Sequence, residues 1–244
     1  MSLPFHLVPS LDAVTSGTSV TVEGDEAHHA VAVRRLRVGE QVALTDGLGR
    51  IAVGAVASTG KRVFTVAVER AEATPEPLPA IVVVQALPKG DRGELAVEML
   101  TEIGVARIVP WAAARSVTVW KGDRAAKSLA RWRATAREAA KQARRAWHPV
   151  VDELATTADV AQLIGSAALA ITLHEAAGQP LATLEVPAVG EIVVVVGPEG
   201  GLNDDELATF NAAVAVRLGA EVLRTSTAGV AAAAALLSRT DRWA

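Results

Sequence analysis

The sequence predicts an α/β protein of two domains, a small N-terminal β-barrel and a larger domain in which helices cover a mainly parallel sheet. Three observations support this prediction. Short β-like runs separated by turn residues occupy the first 72 residues, and the proline-rich stretch ATPEPLPA follows them. Beyond it, continuous apolar runs alternate with helical segments. Half of the 244 residues are hydrophobic, which is enough to bury a sizeable core.

The N-terminal prediction depends on four β-like runs, SVTVEG, EQVALTDGLGR, IAVGAVAS and RVFTVAVER, and on one helical segment, DEAHHAVAVRRLRVGE. Strands of this length between turn residues are typical of a small barrel, which we place at residues 1–73. Three prolines within ATPEPLPA exclude a helix or a central strand. Residues 74–79 are therefore predicted to be a linker.

The C-terminal domain is predicted to span residues 80–244. Its strand candidates are AIVVVQAL, RIVPW, ALAITL and EIVVVVG, and its helical candidates are DRGELAVEMLTEIG, RAAKSLARWRATAREAAKQARRAW, DDELATFNAA and TAGVAAAAALLSR. A continuous apolar run bounded by turn residues indicates a strand buried on both faces. Such strands are typical of a parallel sheet that is covered by helices.

Composition excludes several classes of function. The chain has no cysteine, so it forms no disulfide, no thiolate metal site and no cysteine nucleophile. The start MSLPFHLVPS lacks the features of a secretory signal, and no apolar run reaches about 18 residues. We therefore expect a cytoplasmic protein that has no membrane partner.

Charge is distributed unevenly along the chain. The net charge of the chain is −3. The segment from Arg115 to Pro149 nevertheless contains ten Lys/Arg and two Asp/Glu, whereas the sequence from Val150 onwards contains four Lys/Arg and twelve Asp/Glu. Clustered positive charge of this kind is typical of a phosphate-binding surface. A solvated helix face explains the same cluster, and charge alone does not decide between the two interpretations.

The search for local motifs leaves three loops as candidates for a ligand site. The dinucleotide fingerprint, the phosphate loop, the G-x-S-x-G motif and a zinc-spaced His pair are all absent, so no metal is expected. The three loops follow apolar runs and are LHEA at 173–176, GPEGG at 197–201 and RLGAEVLRTSTAGVA from Arg217. Glycine at a strand end lets a ligand approach the main chain. This pattern predicts an adenosine-like ligand that is held mostly by main-chain groups.

The same loops, with ALPKGDRGELAVEMLTEIGV and RWRATAREAAKQARR, resemble the RsmE family of SPOUT methyltransferases. The segment GDEAHHAVAVRRLRVGEQVALTDGLGR resembles that family's PUA-like RNA-binding barrel. The resemblance implies S-adenosyl-L-methionine as cofactor, methylation of N3 of a uridine in 16S ribosomal RNA, a homodimer and a C-terminal trefoil knot. The substrate it implies is either 16S rRNA or the assembled small ribosomal subunit. Where many family members have Leu-Arg-Thr-Glu-Thr-Ala, this chain has Ser226 in place of the acid.

The resemblance also implies the site residues. Those expected to bind the cofactor are Leu173, His174, Glu175, Gly197, Pro198, Glu199, Gly200, Gly201, Leu218, Leu223, Arg224, Thr225, Ser226, Thr227 and Ala228. Glu199 and Arg144 are expected to act in catalysis, since N3 of uridine carries a proton that an acceptor must take or a cation must make more acidic. Glu199 has a second interpretation, as a surface carboxylate that stabilises the start of the next helix.

The residues expected to bind RNA lie in two basic segments. They are Arg34, Arg35, Arg37, Arg137, Lys141, Gln142, Arg144 and Arg145. Helical spacing predicts that Arg137, Lys141 and Arg144 line one face. Adjacent His28 and His29 cannot share a face, so a metal site there is not expected. The alternative function is a non-catalytic RNA-binding protein with a degenerate cofactor loop, whereas a nucleotide-using ligase would require the missing phosphate loop.

Overall fold

The computed structural model describes residues 3–243, which form two compact units. The first unit extends to Glu76 and also contains Ala140–His148. The second unit contains Pro77–Ala139 and continues from Pro149. The return of residues 140–148 to the first unit is not part of the boundaries predicted from sequence.

The first unit is a curled sheet of five strands with one short helix. The strands are β1 (Phe5–Leu7), β2 (Ser19–Glu23), β3 (Gln41–Thr45), β4 (Arg50–Thr59) and β5 (Val63–Ala73), and helix α1 (Gly24–His28) continues into a π turn (His29–Val33). The strand order is β1-β3-β4-β5-β2, with only β1 and β3 parallel. Leu44, Phe64 and Val66 are fully buried in its core.

The helix predicted from DEAHHAVAVRRLRVGE is shorter than its sequence pattern indicates. It ends with the π turn at Val33, Arg34 forms the C-cap, and Arg35 has a φ of 57°. Leu36 then enters the core with 7% of its surface exposed. Tertiary packing of Leu36 therefore ends the helix before the apolar pattern does.

Residues 140–148 are fixed to the first unit by specific contacts. The Trp147 ring lies so close to Gly49 that a Cβ there would be 2.6 Å from the ring. The indole N–H of Trp147 donates to the Thr74 carbonyl at 2.9 Å. Lys141 Nζ donates to both carboxylate oxygens of Glu26, at 3.1 and 2.9 Å. These contacts hold residues 140–148 within the first unit.

The second unit is a seven-stranded sheet covered by helices. Its strands are β6 (Ala80–Ala86), β7 (Arg107–Trp111), β8 (Val150–Val151), β9 (Leu169–Leu173), β10 (Gln179–Pro180), β11 (Glu191–Val196) and β12 (Val214–Arg217). Its helices are α2 (Arg92–Glu102), α3 (Asp123–Gln142), α4 (Thr157–Ser166), α5 (Asp204–Thr209) and α6 (Thr225–Leu237), and the last three residues of α3 belong to the first unit. The strand order is β10-β12-β9-β11-β6-β7-β8 and every pairing is parallel. The predicted α/β class and parallel sheet are confirmed.

The apolar runs are buried on both faces of this sheet. Along β6, Ile81 and Val83 pack with α2, α3 and α6, whereas Val82 and Val84 pack with α4 and the residue after α5. Helix α6 approaches the sheet closely at Gly229, where a Cβ would lie 3.2 Å from Val196. A larger residue there would push α6 away from the strand that leads into the GPEGG loop.

The end of α3 differs from the sequence prediction. The pattern extends to Trp147, but the helix ends at Gln142 and Arg144 turns into the left-handed region with a φ of 54°. The prediction that Arg137, Lys141 and Arg144 share one helical face is therefore wrong, because Arg144 lies beyond the helix. Helix α4 and the short strands β1, β8, β10 and β12 were not predicted. Within residues 3–243, no helix is long and apolar enough to cross a membrane.

Candidate functional site

The three candidate loops meet at one edge of the parallel sheet. Strands β11, β9 and β12 are neighbours in the order given above, and the carboxyl ends of parallel strands lie at the same edge. A cavity of about 580 Å³ opens there. Its lining residues are Arg92, Arg115, Leu173, His174, Glu175, Val196, Gly197, Pro198, Glu199, Gly200, Gly201, Leu202, Val216, Arg217, Leu218, Gly219, Ala220, Glu221, Val222, Leu223, Arg224, Thr225 and Ala228. This volume is typical of a small-molecule site.

The GPEGG loop is held by the loop that follows β7. Arg115 Nη1 donates to the carbonyls of Gly200 and Leu202, at 3.2 and 3.0 Å. The Ala114 N–H donates to Glu206 Oε1 at 2.7 Å, and Glu206 also caps α5. A Cβ on Gly200 would lie 3.1 Å from the Arg115 Cβ. Arg115 therefore fixes the loop, and it was not predicted, because 85 residues separate it from Gly200.

Glu199 joins the GPEGG loop to the loop that follows β6. Its Oε1 accepts a hydrogen bond from the Lys89 N–H at 3.1 Å, and the side chain is exposed. The Thr118 hydroxyl donates to the Pro88 carbonyl at 2.7 Å, which ties the same loop to the segment after β7. This contact orients the Glu199 carboxylate, whose second oxygen can still accept a proton or a hydrogen bond.

The LHEA loop is ordered by main-chain contacts. Nδ1 of His174 accepts from the Ala176 N–H at 3.1 Å, which in the neutral ring leaves the proton on Nε2. Arg217 Nη1 donates to the carbonyls of Ala177 and Gly178, at 2.8 and 2.7 Å. The Arg217 guanidinium therefore supports this loop in the way that Arg115 supports the GPEGG loop.

The third loop leads directly into α6. Helix α6 begins at Thr225, earlier than its apolar pattern indicates, and no side chain caps its first turn. The Thr225 hydroxyl donates to the Gly197 carbonyl at 3.1 Å, which links the GPEGG loop to the start of the helix. Because N–H groups at a helix start favour negative or polar ligand groups, this end of α6 suits a carboxylate or hydroxyl in the cavity.

The cavity contains thirteen of the fifteen residues predicted to bind the cofactor, the exceptions being Ser226 and Thr227. Ser226 is 3% exposed within the first turn of α6, and Thr227 is exposed but is not part of the cavity wall. The replacement of the family's acid by Ser226 thus falls outside the cavity. Five residues that line the cavity lie outside the three candidate loops and were not predicted, namely Arg92, Arg115, Val196, Leu202 and Val216. Five more belong to the third candidate loop but were not assigned individually to the cofactor, namely Arg217, Gly219, Ala220, Glu221 and Val222.

The residues predicted to bind RNA are divided between the units. Arg34, Arg35 and Arg37 are exposed in the first unit. That unit also contains Lys141, Gln142, Arg144 and Arg145, whereas Arg137 belongs to the second. Arg137 lies 3.7 Å from Glu138 in an exposed ion pair.

Lys141 differs from the other predicted RNA contacts because it is 8% exposed. Burial acts to raise the pKa of Glu26, but hydrogen bonds from His6 and Lys141 together with the Lys141 charge lower it to about 2. His6 Nδ1 lies 3.2 Å from the same carboxylate. The Lys141 ammonium is thus engaged within the protein, and the prediction that it contacts RNA is not retained.

Comparison with known proteins matches each of the two parts of the chain to a protein family. Residues 74–237 match the family described as RNA methyltransferase domain, and residues 22–69 match the RNA methyltransferase PUA domain. The Ribosomal RNA small subunit methyltransferase E of Mycobacterium bovis is 44% identical over 234 residues, which cover 93% of this chain and 89% of that protein. The protein of the same name from Bacillus subtilis is 28% identical over 93% of each chain.

Solved structures agree with this assignment. A Ribosomal RNA small subunit methyltransferase E from Neisseria gonorrhoeae, bound to S-adenosyl methionine, is 27% identical and covers 98% of both chains with a TM-score of 0.86. With the match to the RNA methyltransferase domain over most of the chain and 44% identity to a curated relative, the resemblance seen in the sequence is confirmed. The chain belongs to the ribosomal RNA small subunit methyltransferase E family.

Proposed function

We propose that this protein transfers a methyl group from S-adenosylmethionine to N3 of a uridine in the 16S RNA of the small ribosomal subunit. The observation that carries the proposal is the convergence of the three family loops on one cavity, in a chain that belongs to this family. We further propose a homodimer that works in the cytoplasm. Uridine N3 and the dimer rest on the family resemblance.

The residues of the cavity fit S-adenosylmethionine. The cavity volume of about 580 Å³ is large enough for a ligand of the size of S-adenosylmethionine. Gly197, Gly200 and Gly201 expose main-chain groups to the ligand, while Leu173, Val196 and Leu218 provide apolar surface. When bound, the cofactor supplies an electrophilic methyl group on a sulfonium, which a nitrogen nucleophile attacks in line.

The chain's own groups then have two tasks, positioning and proton removal. The loops fixed by Arg115 and Arg217 hold the cavity wall in one arrangement, which brings the reacting atoms into line. The oriented carboxylate of Glu199 is the group that we assign to the N3 proton. Arg144 belongs to the first unit, and its part in making that proton more acidic stays a prediction.

The alternative of a non-catalytic RNA-binding protein is not favoured. It requires a degenerate cofactor loop, whereas the GPEGG loop is intact in sequence and is held by hydrogen bonds from Arg115 and Thr225. A relative in the same family is solved with the methyl donor bound.

The deciding experiment incubates the protein with methyl-labelled S-adenosylmethionine and RNA from a strain that lacks the enzyme. Assembled small subunits and naked 16S RNA are used in parallel, and the labelled nucleotide is mapped. We expect label on N3 of one uridine. Label on another atom would refute the regiochemistry, and no label on either substrate would refute the function. Sedimentation of the same preparation tests the dimer.

A further inference from the structure

Two arginines of the first unit adopt a backbone conformation that suits glycine. Arg35 has a φ of 57° and Arg144 a φ of 54°, and among residues 3–243 they are the two non-glycine residues with positive φ. In this left-handed region a Cβ crowds the following carbonyl oxygen, so glycine is the usual occupant. Both arginines are exposed. The chain therefore keeps two exposed cations where glycine would be less strained.

Arg144 reverses the chain at the end of α3. The N–H groups of Arg144 and Arg145 donate to the carbonyls of Lys141 and Ala140, at 3.1 and 2.9 Å. This is the Schellman pattern, in which the residue after the C-cap is left-handed and is usually glycine. Lys141, which is buried against Glu26, fixes the last helical turn and so determines where the reversal occurs.

Arg35 follows the C-cap of the π turn and reverses the chain there, as Arg144 does at the end of α3. The Arg34 N–H donates to the His29 carbonyl and the Leu36 N–H to the Ala30 carbonyl, each at 3.0 Å. Both Ala30 and Leu36 are buried in the core of the first unit. Packing on either side therefore fixes the conformation of Arg35, and the arginine side chain does not contribute to that packing.

Helix electrostatics do not explain this choice of residue. A cation near a helix C-terminus interacts favourably with the last carbonyls, but any position in the last turn provides that interaction. Gln142 and Ala143 are exposed at the end of α3 and have ordinary backbone conformations. Within the described residues, neither the Arg35 nor the Arg144 guanidinium forms an ion pair. The structure thus gives no intramolecular reason for arginine at either site.

We infer that Arg35 and Arg144 are phosphate-binding residues of the RNA substrate, each kept at a strained chain reversal because its exposed guanidinium contacts the nucleic acid backbone. Residues held in sparsely populated backbone regions are concentrated at functional sites. Arginine suits a phosphate because its planar fork donates two hydrogen bonds. The inference rests on the proposed function, since it takes ribosomal RNA as the ligand.

The test replaces each arginine by glycine, singly and together, in the full-length protein. Relief of the left-handed strain should raise the thermal midpoint by about 2–4 °C per site. Loss of one phosphate contact should lower the log–log salt slope of RNA binding by about 0.7–0.9. At 0.1 M salt the same relation corresponds to an affinity about five- to eightfold weaker for each arginine.

Three further variants separate charge from backbone. Arg35→Lys and Arg144→Lys keep the cation and the strain, so they should retain the wild-type salt slope without a gain in stability. Arg70→Gln removes an exposed cation of β5 that has an ordinary backbone conformation, and it should change neither quantity. The RNA probe is 16S RNA from a strain that lacks the enzyme, and its binding and its methylation are measured separately.

The outcomes distinguish this inference from the proposed function. Wild-type affinity and salt slope in the double glycine variant overturn the inference, and so does a lower thermal midpoint in both single glycine variants. Wild-type protein that binds the RNA but transfers no methyl group to it contradicts the proposed function instead.

Discussion

Gly200→Val is predicted to weaken cofactor binding without unfolding the protein. Gly200 does not have a positive φ, so the obstacle to a side chain is steric. A Cβ would lie 3.1 Å from the Arg115 Cβ and 3.3 Å from the Arg115 carbonyl oxygen, closer than the ordinary contact of about 3.5–4.0 Å. The two methyl groups of valine add to this crowding, so the GPEGG loop must move away from Arg115.

The magnitude follows from the contacts that this movement breaks. Arg115 Nη1 donates to Gly200 and Leu202 at 3.2 and 3.0 Å. A hydrogen bond from a charged donor contributes about 1.5–3 kcal/mol, and we take about 1 kcal/mol each because Arg115 is exposed to solvent. Loss of both hydrogen bonds removes about 2 kcal/mol of the free energy that holds the GPEGG loop in its binding conformation. The affinity for S-adenosylmethionine should therefore be about thirtyfold weaker.

Titration calorimetry with S-adenosylmethionine measures this affinity, and circular dichroism checks that the variant is folded. Gly165→Val is the matched control, because a Cβ there meets no atom within 4 Å and Gly165 lies in α4 and does not line the cavity. The control should bind within about twofold of wild type. Wild-type affinity in a folded Gly200→Val protein would show that the GPEGG loop is not the cofactor site.

Three other predictions follow from the two units. The lowered pKa of Glu26, about 2, means that its interactions stabilise the protein above pH 4.5 and are lost as the pH falls towards 2. Glu26→Gln should therefore remove on the order of 2 kcal/mol at pH 7 and flatten the acid limb of the unfolding free energy, whereas an unchanged limb would contradict the assignment. Glu199→Gln keeps an oxygen acceptor, so cofactor affinity should stay within about twofold while kcat falls at least about tenfold; unchanged kcat would leave this residue a structural link between loops. A truncated protein that begins at Leu78 lacks the groups that residues 140–148 contact, including the Glu26 partner of Lys141, so its thermal midpoint should fall. It should still bind S-adenosylmethionine but should methylate RNA at least about tenfold more slowly. Full activity of the truncated protein would exclude RNA docking by the first unit.

The sequence by itself determined the class of fold and the place of the cavity. The runs that became β6 and β11 are apolar at every position except Gln85 and Glu191. A short, valine-rich run of this kind between turn residues is typical of a strand covered on both faces. Strand direction then places the following loops at one edge, so LHEA, GPEGG and the loop before α6 were found from sequence alone. The reaction and its cofactor came from family resemblance, because no periodicity specifies the chemistry of a ligand.

Tertiary structure alone decided which residues hold those loops and where the helices end. Arg115 contacts Gly200 across 85 positions of sequence and Lys89 contacts Glu199 across 110, distances at which local patterns carry no information. Helix α3 stops at Gln142 although its pattern continues, because Lys141 and Trp147 are bound to groups of the first unit. A helical pattern indicates which side chains prefer burial, but only the fold supplies the groups that bury them. In this protein Lys141, which was predicted to contact RNA, is instead buried in an ion pair with Glu26.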